Sequence, residues 1–131
     1  PADEGHAEKG SEIVEDFVSE YVTDSQLNKI KKIIGNHHSN AETIEGKILQ
    51  DADDLSNFGP SNLWRQFHYA CQNGVEREEA IEYFWENAVK DYEDIIEEMY
   101  FEHSKEVARR RLEKHKEVFE EIEAEINGED I

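Results

Sequence analysis

Residues 45–55 read Glu45-Gly46-Lys47-Ile48-Leu49-Gln50-Asp51-Ala52-Asp53-Asp54-Leu55. Ile44, Ile48, Ala52 and Leu55 recur at steps of four, four and three, which aligns them on one side of a helix. Asp53 follows one turn after Leu49, at the border of that apolar side. A helix therefore carries two acids, Asp51 and Asp53, close to the face that packs. Carboxylate oxygens combined with imidazole nitrogens suit a divalent cation. Histidines stand upstream, at His6 and at the pair His37-His38.

Working outward, the same helical spacing continues in both directions. His6, Gly10, Ile13, Phe17 and Tyr21 share one side of a first helix, with Val14 and Val18 beside them. Thr23 or Asp24 can cap a second helix. Its stripe is Leu27, Ile30, Ile33 and Ile34, with His37 and His38 one turn further on. The third helix is expected over 43–57. Asn57-Phe58-Gly59-Pro60 reads as a stop and a restart, glycine serving the left-handed turn and proline the first turn of the next helix.

A fourth helix carries Leu63, Trp64, Phe67, His68 and Cys71 and ends at Asn73-Gly74. A long helix begins at Glu76, and a break is expected at Glu102-His103-Ser104. The last helix repeats Ala108, Leu112, His115, Phe119, Ile122 and Ile126 in steps of four and three. Such a seam packs on another helix. The fold class is all-α, with a long C-terminal helical pair.

Composition narrows the function. The 131 residues hold 14 Lys and Arg against 33 Asp and Glu, a net charge of −19. Such a surface repels nucleic-acid backbones and anionic membranes. The single cysteine, Cys71, excludes an internal disulfide and suits a reducing compartment. With no membrane-length apolar run and no signal peptide, a cytoplasmic domain is the expectation. No glycine-rich phosphate loop, Ser-His-Asp set or CxxC pair occurs.

Three segments carry a resemblance. His6-Ala7-Glu8-Lys9-Gly10-Ser11-Glu12-Ile13, Ile33-Ile34-Gly35-Asn36-His37-His38 and Lys47 to Leu55, followed by Gly59 and Arg65, are similar to the HD-domain superfamily of metal-dependent phosphohydrolases. Phe101 to Leu112 is similar to the final helix of one branch, so nearly the whole chain is covered. The resemblance implies an HD-like helical bundle and hydrolysis of a nucleotide or other small phosphate ester by metal-activated water.

By the same resemblance the metal ligands are Asp53, His37 and His6. Positions i and i+2 do not converge on one point, so Asp51 is read as supporting the ligands from behind or as a helix N-terminal partner. His38 is read as a further supporting residue. Arg65 is the catalytic candidate, set to bind a phosphoryl oxygen. The ion is Mn, Fe, Co, Ni, Zn or Mg. The partners implied are a small phosphorylated substrate and, in one option, a second copy of the chain in a homodimer. The His-Asp doublet that names the family is absent, so residues 1–131 are expected to form one domain incomplete at its N-terminus. Asp54 stands where a basic residue is common, and Ser56 where Asp is common.

Each candidate also has a plainer reading. Asp53 can be a solvated acid among many, and His37 a helix-end histidine bonded to carbonyls. His6 can lie in a frayed terminus, and Arg65 can pair with a nearby acid. Trp64, Phe67, Tyr69, Phe84 and Trp85 at helical spacing are expected in the core. Cys71 is read as a small buried hydrophobe, and His115 as a core residue. Arg109-Arg110-Arg111 is read as a salt-bridged face. A helical interaction module is the alternative to an enzyme.

Overall fold

A computed structural model describes residues 5–37, 39 and 41–129. Among these residues every regular element is helical: α1 (His6–Val18), α2 (Asp24–Gly35), α3 (Ile44–Leu55), α4 (Pro60–Gln72), α5 (Arg77–Tyr83), α6 (Val89–Glu98) and α7 (Glu102–Asn127). Five residues of π-helix, Phe84–Ala88, join α5 to α6. The all-α class and the long C-terminal pair are as the apolar spacing predicts. The helices gather into two compact units, Pro1–Ala52 and Asp53–Ile131, whose boundary falls within α3.

In the first unit α1 and α2 form an antiparallel hairpin. Thr23 closes a capping box on α2: Gln26 N donates to its hydroxyl oxygen at 3.3 Å, and Thr23 N donates to Gln26 Oε1 at 2.9 Å. Small residues let the helices approach. A Cβ on Gly10 would lie 3.1 Å from Ile34 Cγ2, and Ser11 Oγ donates to Lys31 O at 2.9 Å. His6 is one turn before Gly10, and His37 one turn after Ile34. The hairpin therefore brings both histidines to the same end.

The second unit holds the core. Phe58, Leu63, Ile81, Phe84, Tyr92, Ile96, Met99, Ala108, Leu112 and Phe119 are all buried. The seam of α7 is buried from Ala108 through Leu112 and His115 to Phe119, while Ile126 at its end is exposed. The Phe84 and Phe119 rings stack, their centroids 3.8 Å apart and their planes inclined by 11°. The chain turns between α6 and α7 at 99–101, slightly before the break expected at 102–104.

Several inward faces read from spacing are in fact open. Ile13 and Phe17 on α1 and Tyr21 just beyond it are exposed, as are Ile44 and Ile48 on α3. On α4, Trp64 is 79% exposed and Tyr69 is exposed, while Phe84 is in the core and Trp85 packs against it. Cys71 is exposed, not buried. Helical periodicity groups residues onto one side, but burial also needs a second element to cover that side. The arginine run is salt-bridged at Arg109, though its partners are Glu97 and Glu102 and not the Glu106, Glu113 and Glu117 that helical spacing suggests.

Candidate metal centre

His6 and His37 are the predicted site residues that the fold brings together. Their Nε2 atoms are 3.2 Å apart, and the ring centroids 5.2 Å apart at a 60° tilt. His37 Nδ1 lies 2.6 Å from the Ile34 carbonyl oxygen. A carbonyl only accepts, so Nδ1 carries the proton and Nε2 the lone pair. His6 Nε2–H is then the donor across the 3.2 Å contact. A backbone carbonyl holding Nδ1–H is also the usual way in which a ligating imidazole is oriented.

The donor set fits a divalent cation in part. Two imidazole nitrogens on one tetrahedral ion, each at about 2.05 Å, are separated by about 3.3 Å. The observed 3.2 Å matches two adjacent ligand positions. Among the described residues, however, no cluster of three or more His, Cys, Asp or Glu side chains is arranged to hold an ion. His38 lies outside the described residues.

The two acids of α3 differ in exposure. Asp51 is 2% exposed, whereas Asp53 is open to solvent. Positions two apart on a helix point about 160° away from each other, so one of the two must turn inward. Asp53 belongs to the second unit, and the histidine pair to the first.

Arg65 also lies in the second unit. Its Nη2 donates to the Ser56 carbonyl at 2.6 Å and to Asn62 Oδ1 at 2.9 Å. Asn62 is buried, and its Nδ2 donates to the Asn57 carbonyl at 2.7 Å and to the Tyr92 hydroxyl at 3.1 Å. Gln66 donates to the same hydroxyl. Burial pushes the Tyr92 phenol up, against the two amide donors. No local sequence signal announced this network, because its partners come from separate helices.

Beside His37 runs a groove of about 270 Å³ at the end of α2 and the start of α3. Lys29, Lys32, Asn36, His37, Ser39, Glu42 and Thr43 supply its polar lining. Lys29 is paired with Glu45. With Glu42 in the lining and Lys29 paired, Lys32 is the lysine there with no acid partner among the described residues, and the groove is polar but not strongly cationic.

No protein-family model matches the chain, and no curated protein matches it. Among solved structures it is similar to Bacillus subtilis YpgQ, in one crystal structure in complex with ADP and in a second crystal structure of YpgQ. Each match has a TM-score of 0.65 and 25% identity, covering 90% of this chain and 64% of the other. The chain thus spans under two thirds of the length of the protein it matches. No helix among the described residues is long and apolar enough to cross a membrane.

Proposed function

We propose that this chain serves a metal-dependent phosphohydrolase acting on a nucleotide or other small phosphate ester. The observation that carries the reading is the His6–His37 pair, with Nε2 atoms 3.2 Å apart and His37 Nδ1 anchored on Ile34 O. These two imidazoles would hold the cation; the resemblance to HD-domain enzymes names Asp53 as a further ligand. When bound, a divalent cation lowers the pKa of a coordinated water and neutralises charge on phosphoryl oxygens.

The similarity to a protein crystallised with ADP supports a nucleotide as the substrate class. In the groove next to His37, Lys32 would supply a cationic contact to such a ligand, beside the carboxylate of Glu42. Calorimetric titration with Mn²⁺, combined with phosphate release from ADP, tests the reading. His37→Ala and Asp53→Ala are expected to weaken Mn²⁺ binding about tenfold or more. A chain that binds no Mn²⁺ and releases no phosphate overturns it.

A second reading, a helical interaction module, is favoured by open aromatic side chains on α1 and in the turn after it. Phe17 is 71% and Tyr21 82% exposed. Sedimentation separates the two: a metal-free, inactive chain that self-associates through α1, and loses association in Phe17→Ser, is the interaction module.

A further inference from the structure

The turn that ends α3 is held by side chains at nearly every carbonyl. Arg111 Nη1 donates to Leu55 O at 2.8 Å, and Arg65 Nη2 to Ser56 O at 2.6 Å. Asn62 Nδ2 donates to Asn57 O at 2.7 Å, and His115 Nε2–H to Gly59 O at 2.6 Å. The last carbonyls of any helix lack partners within it, and cations near a C-terminus also meet the negative end of its dipole.

The other helix ends of this unit are closed more simply. Asn73 donates one side-chain bond to Tyr69 O at the end of α4. Gly128, in the left-handed region, closes α7 with backbone bonds alone. Four side chains from α4 and α7 on one five-residue turn exceed what stopping a helix needs. Two of the four, Asn62 and His115, are buried. Gly59 adapts to this arrangement: its φ of +91° and ψ of 173° favour glycine, and the Arg111 stem lies 3.5 Å from where a Cβ would be.

We infer that Arg111, Arg65, Asn62 and His115 form a positioning clamp that fixes the 55–59 turn and, through it, the end of α3 on which Asp53 stands. This rests on the reading of Asp53 as a metal ligand. It gives Arg65 a positioning role instead of a phosphate contact. Partners standing behind a metal ligand typically change affinity by about 10–100-fold when removed.

The amides of Ser56, Asn57 and Phe58 report directly on the turn, since they donate to Asp53 O, Asp54 O and Leu55 O. In Arg111→Ala, a surface change that leaves the core intact, their hydrogen exchange is expected to quicken about tenfold. Exchange at Ile96 and Leu112 should stay unchanged, and Arg111→Lys should recover much of the protection. Mn²⁺ affinity should fall about tenfold in Arg111→Ala and show no further loss when Arg111→Ala is added to Asp53→Ala.

Unchanged exchange at the turn, or a uniform rise across the core, overturns the clamp. A loosened turn with unchanged Mn²⁺ affinity, while Asp53→Ala loses it, overturns the positioning role. If Asp53→Ala binds Mn²⁺ as the parent does, the metal reading of Asp53 fails instead, and the exchange rates alone decide the clamp.

Discussion

The Nε2 of His115 lies 2.6 Å from the carbonyl oxygen of Gly59, 56 residues earlier in the chain. The ring is fully buried, and its Nδ1 has no hydrogen-bond partner among the described residues. Burial disfavours the imidazolium and pushes His115 below its ordinary value, while the bond to Gly59 O opposes the shift. The unfolded chain therefore takes up a proton near pH 6.5 that the folded chain refuses. Stability should fall as pH drops below about 6.5, by at most about 1.4 kcal/mol per unit from this group. Below the depressed folded value the slope vanishes. Urea unfolding at pH 7.5 and 5.5 should show a smaller pH loss in His115→Gln than in the parent. Equal losses would sink the assignment.

The Phe84–Phe119 stack predicts where stability resides. Both rings are at most 3% exposed, so Phe119→Ala removes contacts and leaves a cavity. A cost of about 3–5 kcal/mol is expected. Trp64→Ala, on a side chain 79% exposed, should change stability by less than about 0.5 kcal/mol. Denaturant midpoints of the two variants check both numbers.

These contrasts show which features were legible in sequence. The α7 seam was, because its steps of four and three continue over five turns and α6 is there to cover it. The stripe Ile13-Phe17-Tyr21 has equal periodicity but stays open, so periodicity alone could not decide its burial. Trp64 and Cys71 failed likewise. The resemblance named His6 and His37 together, and the hairpin brings them to one end. Asp51 and Asp53 could not be ranked by exposure, since the apolar border passes between them. The bonds to the 55–59 turn were not legible, because Arg111 and His115 reach it from across the second unit.

Thr23 offers a local test at the end of the hairpin opposite the histidines. Thr23→Ala removes the two bonds of the Thr23 hydroxyl, to Gln26 N and Gln26 Oε1, and should cost about 1 kcal/mol. Its effect should remain at the start of α2. Thermal melts should therefore shift while Mn²⁺ affinity does not, since His37 lies beyond the far end of that helix. A variant that loses Mn²⁺ affinity together with stability would show that the hairpin unfolds as a whole.

Gly10 and Gly35 separate helix propensity from helix contact. A Cβ on Gly35 would meet Ser11 at 3.6 Å, an ordinary contact, whereas one on Gly10 would meet Ile34 Cγ2 at 3.1 Å. Replacing a mid-helix glycine by alanine gains about 0.5–1 kcal/mol. At Gly10 that gain is offset, because Ile34 must yield a few tenths of an ångström, so Gly10→Ala should be near neutral. Gly10→Val adds two methyl groups against the same Ile34, and overpacking of that kind costs about 1–3 kcal/mol. Forcing α1 from α2 at that level moves apart the histidines one turn further along. The ring-to-ring nuclear Overhauser effect between His6 and His37 should therefore vanish in Gly10→Val and persist in Gly10→Ala. Its persistence in both would mean that the Gly10–Ile34 contact does not set the histidine separation.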